Sequence, residues 1–90
     1  METLYFPGSV KDENLAEKIL FNLIDKLKRT DRGIKSRNDL FVLRYTTMPA
    51  VLVECGFLSN SEERELLCDD NYRDDLVAAI FCGISKYFKI

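Results

Sequence analysis

Two apolar stripes, each recurring every four residues, fix the class of fold this chain can reach. Leu15, Ile19, Leu23 and Leu27 make the first, widened by Ala16, Leu20 and Ile24, and Leu76, Ile80, Ile84 and Phe88 make the second, with Val77, Ala79 and Phe81 beside them. Side chains four apart share one face of an α-helix, so each segment is an amphipathic helix with a long face to bury. The runs that could supply a sheet to cover are short. They are Glu2 to Phe6, closed by the turn signal Pro7-Gly8, then Leu40 to Arg44, then Ala50 to Val53, opened by Pro49, which needs no ladder donor. Helices alternating with strands give an α/β fold. Only Tyr45 to Pro49 separate the last two runs, whereas a parallel crossover takes a dozen residues or more, so these strands are expected to pair antiparallel in a mixed sheet.

Local signals place the helix ends. Ser9-Val10-Lys11-Asp12 fits a capping box loosely, with Asp12 where Glu or Gln is usual, and Asp12 or Asn14 are alternative caps. Asp12, Glu13 and Glu17 come early and Lys26, Lys28 and Arg29 late, the order a helix dipole favours. Thr30-Asp31-Arg32-Gly33 ends the helix and opens a polar loop running to Asn38. Asn60 or Ser61 caps a short acidic helix through Cys68, which Asp69 to Tyr72 separate from the final helix. No repeat or linker divides residues 1–90, which are read as one unit.

Composition excludes several classes of function. With a net charge of −2 and interspersed charges, the chain has no basic stripe for nucleic acid and no polybasic membrane patch. No apolar run approaches the roughly 20 residues that span a bilayer, and no export signal opens the chain. Cys55, Cys68 and Cys82 are an odd number without CxxC spacing, which argues against a disulfide framework and a zinc knuckle. They read as small hydrophobes. Cys55, beside Glu54, lacks the histidine it would need as a nucleophile, because the chain contains none.

The segment Pro49-Ala50-Val51-Leu52-Val53-Glu54-Cys55-Gly56-Phe57-Leu58-Ser59-Asn60 concentrates the chemistry. Ala50 to Val53 read as a fully buried strand that ends on a carboxylate, with Gly56 allowing a tight exit that turns Glu54 to a crevice at the carboxyl end of the sheet. A carboxylate so placed invites a raised pKa and general-base chemistry. The plainer alternative is that Glu54 closes a surface strand or pairs with Arg44. Asn60 suits a helix cap better than a ligand, Arg32 and Lys35 are either solvated or bind a substrate carboxylate, and Phe57 and Leu58 are core or groove wall.

Arg32-Gly33-Ile34-Lys35, Leu40-Phe41-Val42-Leu43-Arg44, Thr47-Met48-Pro49-Ala50-Val51-Leu52-Val53-Glu54 and Gly56-Phe57-Leu58-Ser59-Asn60, in that order, resemble the zinc-dependent N-acetylmuramoyl-L-alanine amidases of bacterial cell-wall turnover and phage lysis. Glu2 to Phe6 resembles the strand after that family's last zinc histidine, and Leu15-Ala16, Ala79-Ile80 and Gly83-Ile84 resemble parts of its two long helices. The resemblance implies the carboxyl-terminal half of a three-layer α/β/α domain with a mixed, mostly parallel sheet, about three strands and three helices being present. It implies cleavage of the amide between N-acetylmuramic acid and L-alanine of peptidoglycan, at the cell wall or outside the cell, or from a host cytoplasm if phage-encoded. Glu54 would be the catalytic base, and Arg32, Phe57 and Asn60 substrate-binding residues. Zinc would serve the full-length enzyme on two histidines and a glutamate upstream, with no metal ligands and no cofactor expected in this chain alone, which would then be inactive without its missing amino-terminal half. The alternative is a non-enzymatic module that binds itself or a partner. Two long stripes over few strands lead us to expect a homo-oligomer, most simply a dimer, with the strand from Glu2 to Phe6 as the element exchanged.

Overall fold

The computed structural model describes residues 1–89, and its first strand, β1 (Glu2–Tyr5), occupies the centre of a three-stranded sheet. The neighbours are β2 (Ile34–Ser36), parallel, and β3 (Leu52–Glu54), antiparallel, in the order β2-β1-β3. The sheet is mixed, as expected, with one pair of each kind. Thr3 faces Ile34 on one side and Val53 on the other, while Glu2 faces Glu54. Successive side chains alternate between faces of a strand. Met1 and Thr3 turn towards helix α1 (Val10–Leu27), where the Thr3 hydroxyl donates to the Ala16 carbonyl at 3.0 Å. Glu2 and Leu4 therefore point to the opposite face.

Helix α1 begins at Ser9, whose hydroxyl accepts the Asp12 N–H at 3.2 Å, so the loose capping box is used. Asp12 is buried and has another task. Its carboxylate accepts the Ala50 N–H at 3.0 Å and ties the approach to β3 onto the start of α1. The helix ends at Lys28 in the left-handed region, φ 56°, where its N–H closes on the Ile24 carbonyl at 2.9 Å.

The stripe of α1 meets α4 (Asp70–Phe88), and Leu15, Ile19, Leu20 and Leu23 join Leu76, Ala79 and Met1 in the core. The final helix was expected to cover the sheet. It packs mainly on α1 instead, because its buried line runs through Leu76, Ala79 and Gly83, small enough for one helix to seat on another. Phe88, assigned to that stripe by its spacing, lies exposed at the helix end.

Gly83 marks the closest approach. A Cβ built there would stand 2.6 Å from the Ile19 Cα and 2.9 Å from its nitrogen, backbone atoms that cannot rotate aside. Gly83→Ala should therefore destabilise the fold although alanine favours a helix by about 1 kcal/mol, since overpacking against a fixed neighbour costs about 1–3 kcal/mol. Urea titration should show a lower midpoint. A midpoint at or above that of the parent would mean that the two helices separate without cost.

Two sequence expectations fail in the middle of the chain. Leu40 to Arg44 do not form a strand antiparallel to the one ending at Glu54; they form a single helical turn, α2 (Phe41–Arg44), after Leu40. Only Leu43 of that turn is buried, with Phe41 and Val42 exposed, and one inward residue is served by a helical turn without any sheet partner. The second strand, β2, lies inside the stretch expected to be a polar loop. Backbone bonding creates it. Gly33 sits at φ 81° after donating to the Asp31 carboxylate at 2.8 Å, and the Arg32 and Arg37 N–H groups donate to the Met1 and Tyr5 carbonyls, both at 2.8 Å.

Smaller corrections follow from the same geometry. The strand ending at Glu54 is half-buried where full burial was expected, since only one of its faces meets the helices. Among the described residues four helices are present against about three expected, the extra one being α2; α3 (Ser61–Leu67) runs close to its expected span. The break between α3 and α4 is shorter than Asp69 to Tyr72, because Asp69 caps α4 directly by accepting the Tyr72 N–H at 2.9 Å. Strand β1, the element named for exchange between copies, is paired on both edges within this chain.

Candidate functional site

Val53 packs against the core from β3, so its neighbour Glu54 points to the other face of the sheet. There it meets Glu2, its direct partner in the antiparallel pair, and Glu2 is in turn ion-paired with Lys35 of β2. Lys35, Glu2 and Glu54 thus form a charged row across all three strands. The Lys35 ammonium holds the Glu2 carboxyl below the usual glutamate range, helped by a hydrogen bond to Glu54. Glu54 moves the other way. Its bond to Glu2 raises its proton affinity first, with burial and the negative charge of Glu2 adding to it, while Arg37 and Lys35 act against it. Like charges facing each other across a strand pair disfavour double ionisation, so a proton is bound more readily by Glu54 than by Glu2.

A narrow crevice, too tight to enclose a water molecule, lies beside this row, lined by Met1, Glu2, Arg32, Glu54, Gly56 and Phe57. The Arg32 guanidinium lies over the Phe57 ring at 4.9 Å from its centroid, so the loop before β2 and the turn after β3 share one wall. The turn after β3 is held rigidly. Phe57 N–H donates to the Glu63 carboxylate at 2.7 Å, and the Arg64 guanidinium donates to the Leu58 carbonyl at 2.9 Å, both reaching back from α3. Gly56 does not use the left-handed backbone that glycine permits; a Cβ there would meet the Glu63 side chain at 3.4 Å, ordinary contact.

Of the residues selected from the sequence, Glu54, Arg32 and Phe57 come together at the cleft. Asn60 does not line it. Its side chain accepts the Glu63 N–H at 3.0 Å and caps α3, the plainer of its two readings. Arg44 lies with Tyr45, 5.7 Å from the ring centroid. Cys55 faces the core, and burial pushes its thiol above the ordinary range, away from reactivity. Sequence reasoning missed Glu2. Its position in the first strand was visible, but its register against Glu54 depends on β1 being central.

Because β3 runs antiparallel to β1 and β2, Glu54 lies at the amino ends of that parallel pair. The crevice rule for parallel sheets therefore does not explain its placement, and the cross-strand pair with Glu2 does. Among the described residues no three His, Cys, Asp or Glu side chains converge as a metal site. Two carboxylates beside a lysine are a poor donor set for zinc, which takes nitrogen and sulfur ligands readily. The chemistry these residues can perform is proton transfer.

The family model described as N-acetylmuramoyl-L-alanine amidase matches residues 1–86. A cell wall amidase of Bacillus anthracis is 38% identical over 96 residues, covering 98% of this chain and 18% of the relative. The germination-specific N-acetylmuramoyl-L-alanine amidase of Bacillus subtilis is 32% identical over 87 residues, covering 97% of this chain and 37% of the relative. Among solved structures, the CwlD amidase of Clostridioides difficile, in complex with the GerS lipoprotein, superposes with a TM-score of 0.94 at 36% identity, covering 98% of this chain and 45% of that one. The chain thus spans less than half the length of each of these proteins. Its α/β fold with a mixed sheet matches theirs, and with nearly its whole length inside the family model, the chain belongs to the N-acetylmuramoyl-L-alanine amidase family.

Proposed function

We propose that residues 1–90 are the carboxyl-terminal half of a peptidoglycan amidase catalytic domain and that Glu54 is its general base. The bond cut is the amide between N-acetylmuramic acid and L-alanine of the stem peptide. Glu54 takes a proton from the attacking water, and Arg32 and Phe57 form the wall against which the substrate lies. One observation carries this reading: a carboxyl of raised proton affinity at a strand end, lining a narrow crevice with a cation and an aromatic ring beside it. A general base works best with a pKa lifted towards the operating pH. The family's zinc, on this reading, is held by histidines outside the chain, and the contribution of the chain itself stops at the proton and the substrate wall. Asn60 acts indirectly, by holding the turn that carries Phe57. Relatives named as cell wall amidases support a reaction at the cell wall.

Supplying an amino-terminal half in trans tests it. The chain mixed with the amino-terminal half of the Bacillus subtilis germination-specific amidase should liberate new L-alanine amino termini from purified peptidoglycan, while neither half alone does so. An assembled pair that releases glycan reducing ends instead, or no alanine amines at all, would overturn the assignment.

A second reading, a module that binds itself or a partner, is favoured by one observation. Phe21, Val77 and Phe81 on α1 and α4 are each about two-thirds exposed. Apolar side chains grouped on helices often mark interaction surfaces. The Clostridioides difficile amidase, which is found with a lipoprotein, offers a parallel.

A further inference from the structure

We propose that Glu2 is a positioning residue for Glu54: clamped from β2 by Lys35, it bonds across the sheet to the Glu54 carboxyl and fixes how that carboxyl presents its oxygens and its proton to the cleft. The inference rests on reading Glu54 as the base and adds the group that tunes it.

The register makes the argument. Directly opposed residues of an antiparallel pair hold their Cβ atoms about 4.5–5.5 Å apart, and like charges so placed repel. Glu2 and Glu54 occupy such a pair, on the face away from α1. Repulsion is relieved when the two carboxyls share one proton. Which of them keeps it is decided by the third strand. Lys35 reaches Glu2 from β2 and stabilises its charge, leaving the proton to Glu54.

The remaining charges nearby do not change this order. Arg37, beyond β2, and Lys35 favour ionised Glu54, but less strongly than Glu2 and burial favour its proton. Arg32 acts on Glu2 and stacks on Phe57. From α3, Glu63 is engaged by the Phe57 N–H, and the Met1 ammonium is engaged by the Thr30 carbonyl at 2.9 Å. Glu2, directly opposite in the β1–β3 pair, is therefore the group that raises the proton affinity of Glu54 and constrains its orientation.

Carboxyl-carbon NMR titration of the 90-residue chain tests the proposal without activity. The Glu54 signal is assigned by its loss in Glu54→Gln. In the parent, Glu54 should titrate above the ordinary glutamate range and Glu2 below it. In Glu2→Gln the Glu54 midpoint should fall, because a neutral amide replaces the repelling charge and donates to the ionised form. In Lys35→Met, a change at an exposed side chain, the Glu2 midpoint should rise and the distribution of the proton between the pair should even out. If Glu2→Gln proves unfolded by circular dichroism, Lys35→Met decides alone. Glu54 and Glu2 midpoints that ignore both substitutions, or a Glu54 midpoint that is ordinary in the parent, overturn the proposal. The two readings separate cleanly: loss of activity in a reassembled Glu54→Gln enzyme with no response of Glu54 to Glu2 leaves the base and removes its tuner, and the converse leaves the pair and removes the base.

Discussion

Glu54→Gln should lower the turnover of the reassembled amidase by about 10²–10⁴-fold, the usual cost of losing a general base, equivalent to about 3–5 kcal/mol of barrier. Glutamine keeps the shape of the side chain and its place at the end of β3, so the sheet should be undisturbed and substrate binding largely kept. The loss belongs in kcat rather than in KM, because the proton is taken in the transition state. The pH profile supplies a second signature. A base works when deprotonated, so activity should climb as pH rises through the raised folded value of Glu54, and Glu54→Gln should abolish that limb along with the rate. Full turnover with glutamine in place would end the assignment of Glu54 as base.

The second large effect lies in the core. Leu23 is fully enclosed in the cluster where α1 meets α4, and Leu23→Ala should cost about 2–5 kcal/mol through lost transfer energy and the cavity left behind. A chain of this size has a total stability on the order of 5–13 kcal/mol. The substitution therefore removes a large share, and at about 4–8 °C per kcal/mol the melting temperature should drop by roughly 10 °C or more. Val77→Ala, on the exposed side of α4, should leave it nearly unchanged. A small drop for Leu23→Ala, matching that of Val77→Ala, would show that the cluster around Leu23 is not closed.

Helices were legible in the sequence because their evidence is local: the spacing of Leu15, Ile19 and Leu23, the Ser9 cap and the Asn60 cap are each contained within a few residues. Strands were legible only in part. Glu2 to Tyr5 and Leu52 to Glu54 carry apolar runs bounded by turn residues, whereas Ile34-Lys35-Ser36 has no pattern and becomes a strand because β1 offers it a ladder. Leu40 to Arg44 misled for the opposite reason, having strand-like residues but no strand to pair with. At the site, Glu54, Arg32 and Phe57 were visible through the family resemblance and the turn around Gly56. Glu2 was not, because a cross-strand partner is a property of register, and register is set by residues far apart in sequence.

Among the described residues the central strand precedes both of its partners in sequence. β1 must wait for β2 and for β3, whose last residue is Glu54, before its ladders are complete, and α1 must wait for α4, which ends at Phe88. Within the described residues, β1 and α1 find their partners in β2, β3 and α4, all later in sequence. During synthesis, at about 5–20 residues per second, the nascent segment would emerge from the ribosome with its sheet centre unpaired and its leading helix bare along one side. Until α4 is in place, the apolar faces of β1 and α1 are what a chaperone would find.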